Sequence, residues 1–180
     1  NTIKELISKN KSIQKRLLNI EEKLKTTKNL SWKDRSMFKE ILKEKQQLER
    51  AIYDLSQKMK ELNQQENKFN DKDPVLKKKA TQLEKLVSSI LDEKTKKLFN
   101  ELEQLLQEKK NVQDIQKTLS NIKNKEKSVE QELNRALELF KRLKLENDLD
   151  QAQKTIEKLS QNQWKIFNET INKEFSLNDL

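Results

Sequence analysis

Two pairs of carboxylates, Glu21 with Glu22 and Asp71 with Asp73, stand close enough in sequence to hold a cation or to work as acid and base. No glycine-rich phosphate loop, calcium-binding loop or paired metal motif accompanies them. Carboxylates alternate with lysines throughout, so surface salt bridging and helix capping are the simpler roles for both pairs. The densest basic run is Lys77, Lys78 and Lys79, a candidate anion-binding cluster able to neutralise phosphates without reading sequence. Base-edge recognition needs a groove-entering motif, and none is recognisable here. Trp164, Phe167, Ile171 and Phe175 form a candidate partner-binding face near the C-terminus. Trp32 is a further partner-binding candidate, or alternatively a cover for the end of a helical hairpin.

Histidine and cysteine are both absent. Imidazole and thiolate metal sites, disulfides, and Ser–His–Asp or Cys–His catalysis are therefore excluded. The sequence predicts no catalytic residue, no metal site and no cofactor.

The elements that must position these residues follow from composition. Of 180 residues, 32% are hydrophobic and 38% are charged. So little apolar material cannot fill a spherical core, but it can line a narrow seam along a helix. Glycine is absent and Pro74 is the only proline, which disfavours tight turns and sheet-rich folds. The formal charge is +9, from 39 Lys+Arg and 30 Asp+Glu, with both signs interspersed as on solvated helix faces. No apolar run approaches the roughly 18 residues that span a bilayer, and no signal-peptide pattern opens the chain. The chain starts at Asn1 rather than methionine, and it reads as a segment of something longer.

The expected fold is all-α, built from long antiparallel helices as an elongated helical bundle or coiled-coil hairpins. Ile3, Leu6, Ile13, Leu17, Ile20 and Leu24 follow a three-four spacing, with Asn10 interrupting it. After a break at residues 26–29, Ser31 and Asp34 have the spacing of a capping box. The spacing predicts a second helix from Trp32 to Phe69, through Phe38, Ile41, Leu48, Ile52 and Leu55, with Lys45 and Glu66 as polar interruptions. Lysine can snorkel from such a position, so Lys45→Leu is expected to be neutral or stabilising. A short connection folds these helices into a hairpin over residues 1–70, with Leu17 near Ile41 or Leu48 and Ile3 towards Leu55 or Leu62.

Asp73 suits an N-cap and Pro74 a first helical position, opening a second region at 74–123. This region holds a helix with a kink or break near Asp92 and a short helix capped at Asn111. The third region, 124–180, is a long helix whose apolar series passes from Leu143 to Leu145, Leu149, Ala152, Ile156 and Leu159. A phase change of this kind lets one partner give way to another.

Two strings carry a family resemblance: SWKDRSMFKEILKEKQQLE from Ser31, and ELNRALELFKRLKLENDLDQA from Glu132. They resemble a large uncharacterised family of Bacteroidota proteins, loosely described as ATPase-like without a recognisable nucleotide site. The similar feature is a Glu-Leu-x-Arg-x-Leu-Glu-Leu-Phe-Lys-x-Leu run, which here begins at Glu132 and Leu133 and ends at Lys141 and Leu143. The similarity covers the chain from about Ser12 to Gln163, corresponding to a Gln/Glu/Lys-rich helical region. It implies N-terminal membrane helices and a β-rich extracytoplasmic region outside this chain, and a periplasmic location tethered to the inner membrane. It supplies no catalytic residues, and the basic charge of this chain departs from the more acidic family members.

The expected function is a non-catalytic scaffold or partner-binding segment of a membrane-anchored cell-envelope protein. Its expected partners are proteins of an envelope complex, with membrane contact through segments outside this chain and a homo-oligomer left open. The alternative is a lysine-rich helical binder of nucleic acid or an anionic surface.

Overall fold

A computed structural model describes residues 2–27, 29–68, 74–108 and 111–178, with the side chains of 65–68 and 172–178 outside the description. Five helices occupy the described residues: α1 (Thr2–Thr26), α2 (Trp32–Lys68), α3 (Pro74–Ser89), α4 (Glu93–Gln107) and α5 (Val112–Asn178). The described residues contain no strand. The protein is all-α, as expected of a chain without glycine and with apolar residues at helical spacing. It divides into two units, Asn1–Phe140 and Lys141–Leu180.

The helix ends follow local chemistry. The Ser31 hydroxyl accepts from the Asp34 backbone N–H at 3.1 Å, while the Asp34 carboxylate accepts from the Ser31 N–H at 3.1 Å. That reciprocal pair is the capping box expected from the sequence. The helical run of the next region breaks between Ile90 and Asp92, where the Asp92 carboxylate accepts from the Lys94 N–H at 2.9 Å and caps α4. The expected interruption is therefore a full helix end with a new cap. Pro74 is the first residue of α3, while Asp73, its expected N-cap, lies outside the described residues.

The separate short helix expected after Asn111 does not end near Asn124. It forms the first turns of α5, which runs without interruption from Val112 to Asn178. Asn124 is exposed in mid-helix, and neither proline nor glycine lies nearby to stop the helix there.

The first unit is an up-down-up-down four-helix bundle in which α3 and α4 together serve as one interrupted helix. Arg16 of α1 bridges Glu40 and Glu44 of α2, which brings Leu17 to the level of Ile41 and closes the expected hairpin. Along α2, Asn63 meets Glu84, Ser56 meets Ser88, and Arg35 meets the Leu106 carbonyl. The rising partner numbers against falling α2 numbers show α3 and α4 running antiparallel to α2 in succession. Gln116 of α5 donates to the Leu24 carbonyl, and Lys123 pairs with Glu21, so α5 runs antiparallel to α1.

The core follows the apolar series. Ile13, Leu17, Ile20, Phe38, Ile41 and Leu48 are almost wholly buried, and Leu102, Ile115, Ile122 and Leu133 join them from the other two helices. Each such side chain contributes roughly 1.5–3 kcal/mol relative to exposure. The α1–α2 seam ends sooner than expected. Leu55 is half-buried and Leu62 is exposed, because α2 has 37 residues against 25 in α1 and its last turns outrun that partner.

Candidate functional site

The most unusual chemistry inside the bundle is a polar layer contributed by three helices. Lys45 of α2 donates from Nζ to Glu126 Oε1 of α5 at 2.5 Å, and Asn10 of α1 donates from Nδ2 to Glu126 Oε2 at 2.6 Å. Relative exposure is 3% for Lys45 and zero for both Asn10 and Glu126. The fourth face comes from α4, whose Phe99 ring lies 5.3 Å from the Lys45 ammonium in cation–π geometry. Gln14, one turn after Asn10, donates to Asn10 Oδ1 at 2.6 Å and to Glu130 Oε2 at 2.9 Å. Among the described residues no buried side-chain polar atom lacks a hydrogen-bond partner.

Lys45 therefore does not snorkel, as its seam position suggested. Its ammonium is directed inward because Glu126 stands at the matching level of α5, and two charges desolvated together are tolerable only when paired. Asn10 and Lys45 are visible in the sequence as polar interruptions of apolar series. Glu126 is the residue sequence reasoning missed. It sits at the regular step between Ile122 and Val129, a signal hidden by the break expected at Asn124.

Beside this layer, a groove of about 710 Å³ opens between α2, α5 and the α3–α4 break, lined by Glu49, Arg50, Tyr53, Asp92, Thr95 and Lys96 among others. Burial pushes the Glu49 carboxyl above its ordinary pKa, with Lys45 opposing and Glu126 reinforcing that shift. The Asp92 carboxyl is held below the usual range, first by the Lys94 backbone N–H.

The sequence-predicted sites are dispersed. Glu21 is half-buried and bonded to Lys123 at 3.0 Å, whereas Glu22 is exposed, so the two carboxylates do not converge. Asp71 and Asp73 lie outside the described residues. No cluster of three or more Asp or Glu able to hold a metal occurs among the described residues. Lys77 and Lys78 are exposed on the first turns of α3 and Lys79 is half-buried. Trp32 is 83% exposed and does not cover the hairpin end. It edges a second groove, of about 340 Å³, between the start of α2 and the end of α4, with Arg35, Lys39 and Glu103.

In the second unit, every residue from Gln151 to Thr170 is exposed. Trp164 and Phe167 meet edge to face with ring centres 5.9 Å apart, and Ile171 follows one turn on, half-buried. Three of the four residues of the expected aromatic face are thus on one side of α5, and the side chain of Phe175 lies outside the described residues. Among the described residues, no helix is long and apolar enough to cross a membrane.

Fold and sites together define an all-α helical-bundle protein with a long helix bearing exposed apolar surface. No family model, curated protein or solved structure matches the chain.

Proposed function

We propose that the chain is a non-catalytic helical scaffold and partner-binding segment of a larger, membrane-anchored bacterial envelope protein. The observation that carries this reading is the pair Trp164 and Phe167, 64% and 55% exposed on a helix with Ile171 beside them. Large aromatic side chains in water are interface anchors in waiting, because they bury much area at little entropic cost. The polar layer of the bundle is a structural device that fixes helix order, which suits a scaffold. The periplasmic location, with tethering to the inner membrane by segments outside this chain, belongs to the same proposal and rests on the family resemblance.

The test is recovery of the full-length protein from native membranes with its bound proteins. Trp164→Ala combined with Phe167→Ala is expected to lose a protein partner while leaving the thermal melting of the bundle unchanged. An unchanged set of bound proteins removes this face from the proposal. The alternative, an anionic-surface or nucleic-acid binder, rests on Lys77 and Lys78, which are exposed with Lys79 beside them. Recovery with nucleic acid alone, sensitive to replacement of those lysines, favours it instead.

A further inference from the structure

A second apolar series runs along α5 on a face adjoining the aromatic one. Leu149, Ile156, Gln163 and Thr170 are spaced by seven. Leu145, Ala152, Leu159 and Ile166 form a parallel series, also spaced by seven and offset to give alternating steps of four and three. These are the a and d positions of a heptad repeat, sustained over about 38 Å of helix at about 1.5 Å per residue. Leu145, Leu149, Ile156, Leu159 and Ile166 are each between 59% and 66% exposed, so the seam is unoccupied in the single chain.

We propose that residues 145–170 pair with the same segment of a second copy of this chain, forming a parallel, two-stranded coiled coil in register at Gln163.

The choice of occupant follows from three features of the seam. Its two polar members, Gln163 and Thr170, both stand at a positions near one end. In a parallel pair each meets its own copy, and a carboxamide or hydroxyl both donates and accepts, so each layer satisfies itself. Antiparallel pairing instead sets Gln163 against Leu145 or Ala152, neither of which can accept or donate through its side chain. Secondly, the central layers, β-branched Ile156 at a followed by Leu159 at d, carry the two-stranded pattern, although Leu149 at a and Ile166 at d on either side are the residues of higher-order coils. The flanking e and g positions also suit self-pairing. In a parallel pair Lys141 comes opposite Glu146 of the second copy, Asp148 opposite Gln153, Thr155 opposite Ser160 and Asn162 opposite Phe167, so no like charges meet up to Phe167. The one like-charged pair, Glu169 with Glu174, falls past the last apolar layer at Ile166. A partner of different sequence would have to reproduce all of this, whereas a second copy does so automatically.

Trp164 and Ile171 fall at b positions, outside the seam, and remain available to another protein, while Phe167 at e borders it. The coiled coil therefore leaves Trp164 and Ile171 to the partner-binding face proposed above, and either reading can fail without the other.

Analytical ultracentrifugation of the full chain tests the association. A concentration-dependent dimer is expected, and Ile156→Asp combined with Leu159→Asp should return it to a monomer with undiminished helical melting of the bundle. Gln163→Val should tighten the dimer by roughly tenfold or more, since it replaces a buried polar pair with an apolar one. Because the chain has no native cysteine, orientation can be read by oxidative cross-linking. Leu149→Cys should link to itself in a parallel pair, and Gln161→Cys, on the outer face, should not. A full chain that stays monomeric throughout the micromolar range overturns the proposal, as does a dimer that survives the paired aspartates. So does cross-linking of mixed Leu149→Cys and Ile166→Cys chains without self-linking of Leu149→Cys, which reports an antiparallel pair. Retention of every bound protein by the Trp164 and Phe167 variant, with the dimer intact, would count against the earlier reading only.

Discussion

The Lys45 ammonium and the Glu126 carboxylate meet at 2.5 Å across the bundle, 81 residues apart in sequence and with almost no access to water. Neither charge is tolerable there alone. Asn10 holds the other carboxylate oxygen and Phe99 faces the ammonium, so the pair is fixed from α1, α2, α4 and α5 together. An ion pair so placed adds less net stability than well-packed apolar residues would, but it strongly penalises any helix register that separates its members.

Removal of one partner should consequently be severe. Glu126→Ala is expected to destabilise the bundle by ~3–5 kcal/mol, because it strands the buried ammonium. Lys45→Leu should be comparably damaging, reversing the sequence expectation that leucine suits that position. Lys45→Met combined with Glu126→Gln should recover most of the loss, since the amide oxygen can still accept from Asn10 and no charge remains. Chemical denaturation of the three variants decides the matter, and a Lys45→Leu chain as stable as the parent would show that the pair is dispensable.

The seam itself gives a second expectation. Leu48 is fully buried in α2. Leu48→Asp should cost several kcal/mol, about 3 or more, through an unpaired charge, since Glu126 already engages the Lys45 ammonium one turn away. Lys43→Ala, at an exposed position of the same helix, should change stability by less than about 0.5 kcal/mol. Thermal unfolding of the full chain with each change made singly provides the comparison. Equal shifts from both substitutions would mean that Leu48 does not face the core.

Most features set within a turn of sequence were legible, whereas beyond the α1–α2 hairpin those set across the fold were not. Ser31 and Asp34 act within one turn, and Asp92 caps the helix that begins beside it, so their residue types announce them. Asn10 and Lys45 announce themselves only as exceptions to an apolar pattern. What they touch depends on a third residue, Glu126, that local patterning assigned to a different segment. Leu62 illustrates a converse error, where the pattern continues past the point at which the α1 partner ends. Trp32 carries a bulky apolar ring at a helix start, and nothing local reveals that it stays largely in water.

The lysine run yields a prediction about nucleic acid. Lys77 and Lys78 are exposed on α3 beside half-buried Lys79, and no aromatic residue is interleaved with them. Scattered lysines supply only the salt-dependent, sequence-independent part of binding. Titration of duplex DNA should therefore show weak association at low salt that disappears as salt approaches the physiological range. Tight, sequence-dependent binding at that salt would favour the alternative function.

Glu49 provides the pH test. Its carboxyl is raised above the ordinary value by burial first, with Lys45 and Lys96 pulling it down and Glu126 and Glu93 adding to the rise. A carboxyl with a raised folded-state pKa takes up its proton in the fold before it does so in the unfolded chain. Stability from this residue therefore increases as pH falls through the folded value, and the gain is complete below the unfolded value of about 4.3. Above the folded value the group is charged in both states and its burial is a net loss. Glu49→Gln removes that charge without altering the shape of the side chain, so the variant should melt higher than the parent at neutral pH. The gap should narrow steadily as pH is lowered through the folded value, below which the parent carboxyl is itself neutral in the fold. Asp34 and Asp92 titrate in the opposite sense, since their lowered values mean that capping is lost on acidification, but both are common to parent and variant and cancel in the comparison. Paired melting curves across this range are the measurement. A variant that melts lower than the parent at neutral pH, or a gap that stays constant on acidification, would show that the Glu49 carboxylate is stabilised by Lys45 and Lys96 more than it is penalised by burial.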